Sequence, residues 1–277
     1  MGELVTADDG MPAEVVGKWA SDKYELLCDY VQISSATRRK YLAPNGRGGA
    51  TFIDLFCGPG RVQFRGGDGF VDGGCVAAWK RSVSSGAPFS KVIVADADGD
   101  RLDAAVQRLR RLDAPVEAFQ GSATETVKLA VAAAAVHGLN FCFLDPYSLG
   151  ALDYRILEAI SKLKRIDILV HVSQMDLQRN FDRNAAASDS HLDTFAPGWR
   201  TKVDQLQTAR TGRQAYFRYW CELVATLGVD ASTESRLITG SNGQPLYQLL
   251  LVAKHELAHR FWSTVEKINQ PQSRLDL

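Results

Sequence analysis

Apolar residues in the middle of the chain gather into short unbroken runs, separated by longer amphipathic segments. The runs are rich in β-branched and aromatic residues, which is typical of strands buried on both faces of a parallel sheet. They occupy 50–56, 91–96, 116–121, 139–146 and 165–173. Segments with helical spacing follow them, at 75–82, 96–112, 124–136 and 154–163. The alternation predicts an α/β fold with a doubly wound, mostly parallel sheet and right-handed crossovers.

Two segments interrupt this alternation. Residues 12–42 carry apolar side chains at three- and four-residue steps, including Trp19 and Tyr30, and predict an N-terminal helix that begins near Pro12 and forms a lid. Residues 61–74 are rich in glycine and poor in apolar side chains, so we expect an irregular excursion there.

The C-terminal part, 176–277, predicts a helical addition with one late apolar strand at 245–253, a candidate edge of the same sheet. We expect the whole chain, 1–277, to form a single domain with its core at 50–175. An aromatic cluster in the addition is more typical of a packed core than of a base-stacking platform. It comprises Trp199, Tyr216, Phe217, Tyr219 and Trp220.

The charge balance narrows the set of partners. The 277 residues include 32 Lys+Arg and 32 Asp+Glu, and a formal net charge of zero argues against a polyelectrolyte-type nucleic-acid binder. A local basic patch stays open, although Arg108, Arg110 and Arg111 predict the solvated face of a helix. The most apolar stretch, 129–136, is far shorter than the roughly 20 residues that cross a bilayer. We therefore expect a cytoplasmic protein without membrane association.

The cysteines and histidines are scattered. The five Cys form no CxxC pair, which speaks against a disulfide framework and against zinc-ligand spacing. The string HELAH at 255–259 formally satisfies the HExxH pattern of zinc hydrolases. Because it lacks an evident third ligand and follows the late strand, we interpret it as the start of a helix and expect no metal.

Ligands of open parallel sheets bind beyond the carboxyl ends of the strands. The first strand ends in DLFCGPG at 54–60, where two glycines allow close backbone approach and a carboxylate can accept hydrogen bonds from a ligand ammonium. The predicted cofactor-binding residues of this turn are Asp54, Phe56, Gly58 and Gly60. A plain Gly-Pro-Gly turn is the alternative.

The second strand ends at Asp96, whose carboxylate could take both ribose hydroxyls of a nucleoside, with Asp98 as the competing candidate. Both acids could instead cap the following helix. The separation between Gly60 and Asp96 far exceeds the about 20 residues of the dinucleotide fingerprint, which speaks against NAD. The pattern resembles class I S-adenosylmethionine-dependent methyltransferases, and that resemblance assigns Ser122, after the third strand, to the adenine amine.

The fourth strand ends in LDPYSLG at 144–150. Its Asp-Pro-Tyr resembles the Asp-Pro-Pro-Tyr type of motif of amino-methyltransferases, with one proline missing. In such a motif the acid accepts a hydrogen bond from the acceptor amine and the aromatic ring stacks on a base. Asp145, Pro146 and Tyr147 are therefore the predicted catalytic residues. The alternative is a proline-stabilised turn with a half-buried Tyr.

Together these motifs resemble one narrower family, the three-Cys-motif partner proteins (TcmP). The likeness includes a Trp19-(x3)-Lys23-(x6)-Tyr30 helix and the segments 166–180 and 247–262, so it covers nearly the whole chain. It implies a class I methyltransferase-like fold, S-adenosylmethionine as cofactor, and a three-Cys-motif radical protein as partner. The chain departs from the family pattern at Cys57 and at Gly73-Gly74-Cys75.

The function that these observations favour is methyl transfer from S-adenosylmethionine to an amine or hydroxyl placed near Asp145 and Tyr147. Asp145 would orient or deprotonate the acceptor. Two other hypotheses stay open. One is a non-catalytic, cofactor-binding partner of a three-Cys-motif radical protein, and the other is a nucleic-acid methyltransferase whose target base enters beside Tyr147.

Overall fold

The computed structural model describes residues 2–67, 69–203, 209–240 and 243–269. Its strands are β1 (Leu4–Thr6), β2 (Pro12–Val16), β3 (Ala50–Asp54), β4 (Arg61–Phe64), β5 (Phe70–Asp72), β6 (Lys91–Asp96), β7 (Val116–Gln120), β8 (Leu139–Leu144), β9 (Ile166–Ser173), β10 (Asp230–Thr239) and β11 (Pro245–Ala253). Its helices are α1 (Ala20–Ile33), α2 (Ser35–Arg39), α3 (Gly74–Ser84), α4 (Gly99–Arg111), α5 (Ala123–Ala133), α6 (Tyr154–Ile160), α7 (Gln174–Ala186), α8 (His191–Phe195), α9 (Ala209–Ala225) and α10 (Glu256–Ile268). Parts of the predicted helical addition, at 204–208, 241–242 and 270–277, lie outside the described residues.

The central sheet has seven strands in the order β10-β11-β9-β8-β3-β6-β7. From β9 to β7 all neighbours pair in parallel, whereas β11 pairs antiparallel with both β9 and β10. This arrangement confirms the predicted doubly wound, mostly parallel α/β fold. The five strands of the sequence pattern are the five parallel ones.

Helices cover both faces of this sheet. Successive side chains of a strand point to opposite faces, so Phe52 of β3 packs in the cluster that contains residues of α1, α3, α4 and α10. Ile53 packs in the opposite cluster, which contains residues of α5, α6 and α9. A strand that is covered on both faces cannot alternate polar with apolar residues, which explains the unbroken apolar runs.

The predicted edge position of the late strand is wrong. β11 lies inside the sheet, between β9 and β10, and β10 forms the edge. The sequence of β10, DASTESRLIT, is mostly polar, and half of its positions are exposed. Because β10 is an edge strand with exposed side chains, it has no apolar run, and hydrophobic patterning did not predict it. With both β10 and β11, the C-terminal part is less helical than predicted.

The N-terminal prediction is wrong at its start. Residues 12–16 form β2, and the helical part begins only at Ala20. The glycine-rich segment 61–74 is not irregular either, because it contains β4 and β5. These pieces make a second sheet in the order β1-β2-β4-β5, in which β2 and β4 run parallel. Its strands have three to five residues, too few to display a period, and Pro12 stands at a strand start, where a missing N–H is tolerated.

Arg108 fastens the N-terminal strands to the main sheet. The prediction of a solvated Arg face holds for Arg110 and Arg111, which are exposed, but it is wrong for Arg108, which is 5% exposed. The Arg108 guanidinium donates to both carboxylate oxygens of Asp9, at 2.8 and 2.7 Å, and to the carbonyl of Pro12. It also donates to the carbonyl of Pro59 in the glycine turn after β3.

The aromatic cluster of the C-terminal part belongs to the core, as predicted. Trp199, Tyr216 and Trp220 are almost completely buried, and Phe217 and Tyr219 pack against the same cluster. Tyr216 stacks on Phe195, which in turn stacks on Trp220.

The HELAH string starts a helix. His255 caps the N-terminus of α10, since its Nδ1 accepts a hydrogen bond from the backbone of Leu257. His259 Nε2 lies 3.3 Å from the carbonyl of Ala253. Over the residues that the structure describes, no group of three or more His, Cys, Asp or Glu is placed to hold a metal ion, and none of the described helices is long and apolar enough to cross a membrane.

Arg108→Ala is expected to lower the free energy of unfolding by about 2–4 kcal/mol, because it takes this donor from Asp9 and from the carbonyls of Met11, Pro12 and Pro59. Arg110→Ala on the exposed face of the same helix is the matched control and should change stability by less than about 0.5 kcal/mol. Urea denaturation followed by circular dichroism measures both. Equal, small effects of the two variants would show that Arg108 does not fasten the N-terminal strands.

Candidate functional site

A cavity of about 580 Å³ lies beyond the carboxyl ends of β3, β6 and β8, roofed by β2 and α1. The residues predicted from the sequence come together in its wall, with one exception. Those that line it are Asp54, Phe56, Gly58, Gly60, Asp96, Ser122, Asp145, Pro146 and Tyr147. The exception is Asp98. The sheet topology therefore joins the motifs into one site, while their individual roles stay predictions.

The glycine turn after β3 forms the floor of the cavity. Gly58 and Gly60 have φ values of 55° and 74°, in the left-handed region that favours glycine. A Cβ atom on Gly58 would meet only the Glu14 carboxylate, at 3.6 Å, so this position opens toward the cavity. A Cβ atom on Gly60 would lie 2.9 Å from a methyl of Val76, which packs behind the turn. The absence of a side chain at Gly58 thus leaves space for a ligand, whereas at Gly60 it allows close packing against Val76.

The two acids after β6 have separate partners. Asp96 accepts a hydrogen bond from the N–H of Gly58 on one oxygen and from the N–H of Asp98 on the other, both at 2.9 Å. Asp98 is the N-cap of α4, where its side chain accepts from the N–H groups of Asp100 and Arg101. Asp98 is thus used as a helix cap, and Asp96 is the acid that faces the cavity.

Ser122 lines the cavity as the N-cap of α5. It forms a capping box with Glu125, whose carboxylate accepts from both the hydroxyl and the backbone N–H of Ser122. Its hydroxyl is therefore already engaged in capping the helix. The predicted contact with an adenine amine would have to compete with this use.

Asp54 is a buried carboxyl group at the end of β3, 1% exposed. It accepts a hydrogen bond from the N–H of Phe56 at 3.1 Å. Burial raises the pKa of Asp54 to about 8, and the nearby carboxylates of Asp145 and Asp96 act in the same direction. Burial also raises the pKa of Asp96. This part of the cavity wall is therefore suited to a ligand group that carries positive charge.

Asp145 is held by two side chains that the sequence-based site did not include. One carboxylate oxygen lies 2.5 Å from Nζ of Lys23, on α1, and the other lies 2.7 Å from Nδ1 of His171, on β9. All three groups line the cavity. Lys23 belongs to a motif that the sequence displays, and His171 interrupts the apolar run ILVHV. A polar residue inside a strand buried on both faces is the signal that could have singled it out.

The charge state of this cluster follows from its surroundings. Burial would raise the pKa of Asp145, but the Lys23 ammonium and the hydrogen bond from His171 outweigh burial and hold it well below its usual range. Burial lowers the pKa of His171, against the opposing effect of Asp145. At neutral pH the cluster therefore contains an Asp145 carboxylate and a neutral His171. This favours an orienting role for Asp145 over the alternative in which it takes up a proton.

The rest of the LDPYSLG loop lies at the mouth of the cavity. Pro146 is buried, whereas Tyr147 is 77% exposed. The alternative for this loop was a proline-stabilised turn with a half-buried Tyr, and the exposure of Tyr147 contradicts only the burial of that side chain. The Tyr147 ring is free to contact a ligand that enters from solvent.

No protein-family model matches the sequence, and no curated protein matches it. Among solved structures, a protein from Legionella pneumophila str. Philadelphia 1 superimposes with a TM-score of 0.50 at 8% identity, covering 88% of this chain and 91% of that one. An O-methyltransferase from Bacillus cereus in complex with SAH superimposes with a TM-score of 0.45 at 17% sequence identity, covering 82% of this chain and 80% of that one. The O-methyltransferase TomG from Streptomyces achromogenes in complex with SAM superimposes with a TM-score of 0.44 at 13% sequence identity, covering 82% of this chain and 79% of that one. At 8% identity the Legionella structure shows the fold alone, and membership of the TcmP family stays a prediction.

Asp54→Asn is expected to stabilise the ligand-free protein at pH 8 by about 1–3 kcal/mol. The unfolded chain releases the Asp54 proton near pH 4, whereas the folded chain holds it up to about pH 8. The stability that Asp54 contributes is therefore lost as the pH rises from about 4 to about 8. The amide of Asp54→Asn does not ionise, so this loss disappears, and its oxygen still accepts from the N–H of Phe56. Thermal unfolding from pH 5 to 8 measures this, with exposed Asp103→Asn as control. Parallel pH profiles for Asp54→Asn and wild type would contradict the buried, protonated state.

Proposed function

We propose that the protein is an S-adenosylmethionine-dependent methyltransferase. The observation that carries the proposal is one cavity in which the glycine turn after β3, tied to Asp96 by the Gly58 N–H, faces the Asp145 cluster after β8. In this proposal the glycine turn and Asp96 bind the cofactor, and the Asp145 cluster binds the methyl acceptor beside it. Methyl transfer is mainly a matter of alignment, so two adjacent sites with fixed positions supply what the reaction needs.

The residues of the cavity fit this cofactor. S-adenosylmethionine would supply a methyl group on a positively charged sulfonium. Asp54 offers a buried carboxyl group whose ionisation a cationic ligand would favour. Gly58 leaves room above the turn for close approach, and Asp96 presents a carboxylate where ribose hydroxyls could be held. The chain would therefore bind the cofactor through Asp54, the glycine turn and Asp96, next to the acceptor side.

The acceptor side is the region of Asp145, Pro146 and Tyr147. The Asp145 carboxylate, fixed by Lys23 and His171, can orient an amine or hydroxyl. The exposed Tyr147 ring can stack on a planar acceptor. The motifs that resemble TcmP support the finer proposal that the enzyme is of that type and works with a three-Cys-motif radical protein.

The sheet strand β11 joins the C-terminal part to the core, which supports a single domain over 1–277.

Gly58→Val is expected to weaken S-adenosylmethionine binding at least about ten-fold in protein that still folds, because the new side chain projects into the cavity. Both Gly58→Val and Gly60→Val strain a left-handed backbone, but Gly60→Val should lower the melting temperature further, because its side chain would also collide with Val76 and Ala105. Circular dichroism and isothermal titration calorimetry separate the two effects. Normal cofactor binding by Gly58→Val would place the site elsewhere.

Asp96→Asn is expected to weaken S-adenosylmethionine binding about ten-fold or more, because a charge-assisted contact to the ribose is lost. Asp98→Ala is the matched control: it removes a helix cap, so it should cost about 1 kcal/mol of stability and change affinity less than about three-fold. Isothermal titration measures both variants. A larger loss of affinity in Asp98→Ala would transfer the ribose role to Asp98, and absence of binding by the wild type would contradict the proposed function itself.

A further inference from the structure

We propose that His171 is a catalytic residue, the base that accepts the proton of the methyl acceptor, and that the acceptor is a hydroxyl group on a planar, aromatic-type ring. The proposal rests on the proposed function and names the substrate class of the same site. Asp145 and Lys23 are positioning residues in this arrangement.

The tautomer of His171 follows from its partner. An Asp145 carboxylate can only accept, so the hydrogen bond of 2.7 Å at Nδ1 requires the proton to sit on that nitrogen. A neutral imidazole with its proton on Nδ1 carries a lone pair on Nε2. Within the described part of the chain, Nε2 makes no hydrogen bond, and His171 lines the cavity. The imidazole thus presents a proton acceptor to whatever occupies the acceptor side.

The neighbouring groups cannot serve the same purpose. The Lys23 ammonium has only hydrogen-bond donors and no lone pair. It is bound to Asp145 and lies over the rings of Trp19, Tyr24 and Tyr247. Asp145 accepts from Lys23 on one oxygen and from His171 on the other, and these contacts hold the pKa of its carboxyl well below the usual range, so it can orient an acceptor but is a weak base. Among the three groups of the cluster, His171 is therefore the neutral base, with an unbonded lone pair on Nε2 within the described part of the chain.

The groups around His171 also fix its ring. Tyr247, on β11, packs edge-on against the imidazole with ring centroids 4.2 Å apart, and the Tyr247 hydroxyl donates to the carbonyl of Trp19. The charged groups that act on His171 are Asp145, Lys23 and Asp176. Burial and the ammonium lower the pKa of His171, while the two carboxylates raise it, and burial prevails. The ring is thus a neutral base at neutral pH, held at both its edge and its Nδ1 atom.

A base in this position selects the acceptor chemistry. A neutral amine already has the lone pair that attacks a methyl group, whereas a hydroxyl gains nucleophilicity when its proton is removed. The acceptor oxygen forms a bond to the methyl carbon, the carbon–sulfur bond breaks with its electron pair left on sulfur, and the hydroxyl proton passes to Nε2. Aromatic residues of the cavity, Trp19, Tyr24, Phe56, Phe143 and Tyr147, favour a flat ring beside that hydroxyl.

The first test is NMR of protein with isotope-labelled histidine nitrogens, with the His171 signals assigned from His171→Asn. We expect a neutral ring with the proton on Nδ1 at pH 7. In Asp145→Asn the carboxylate is replaced by an amide that can also donate, so the preference for this tautomer should weaken. A charged ring at pH 7, or a proton on Nε2, would overturn the proposal without any assay of activity.

The second test uses para-nitrophenol, whose absorption distinguishes phenol from phenolate, added to the protein with S-adenosylhomocysteine. In the wild type the bound probe should ionise about one pH unit or more below the free probe, with His171 gaining the proton in the NMR spectrum. His171→Asn keeps a donor for Asp145 but removes the base, so this shift should disappear. Exposed His137→Asn is the control and should behave as the wild type.

The outcomes separate the two proposals. Failure of the wild type to bind S-adenosylmethionine contradicts the proposed function. Binding of the cofactor without binding of para-nitrophenol at millimolar concentration contradicts the planar hydroxyl acceptor. Ionisation of the probe that persists in His171→Asn, with its folded state shown by circular dichroism, contradicts His171 as the base.

Discussion

The buried ion pair between Lys23 and Asp145 is the interaction on which the site depends. It joins α1, outside the parallel sheet, to the loop that follows β8, and both partners are largely removed from water. A buried charge that loses its partner is strongly destabilising, so the helix and the loop must stay together. The same carboxylate fixes the imidazole of His171. One acidic side chain therefore ties α1 to the loop after β8 and fixes the orientation of the His171 ring.

The parts of the fold that were predictable are those in which local sequence and tertiary burial require the same pattern. β3, β6 and β8 are covered on both faces, so their apolar runs are visible in the sequence. Because their carboxyl ends meet at one edge of the sheet, Asp54, Asp96 and Asp145 could be placed in one site from the order of the strands alone.

The remaining features depend on partners distant in sequence. β2 is a strand because it pairs with β4, almost fifty positions later, and neither segment is long enough to show a period. Arg108 is buried, although its neighbours Arg110 and Arg111 are exposed, because Asp9 and Pro12 lie over it. The role of His171 is set by Asp145 on the adjacent strand end. Hydrophobic patterning shows which side of a helix or strand is buried. It contains no information on which residue, distant in sequence, contacts that side.

The double attachment of Arg108 couples two walls of the cavity mechanically. A single guanidinium holds the N-terminal strands through Asp9 and Pro12 and the glycine turn through the carbonyl of Pro59. The roof and the floor of the cavity near Gly58 therefore share one hydrogen-bond donor, which ties their positions together. At the other end Asp145 is held by Lys23 and His171, while Tyr147, two positions later, projects into solvent. Tyr147 is thus where the wall of the cavity meets solvent, and a small molecule that enters there reaches an exposed aromatic ring before it reaches the buried carboxyl groups.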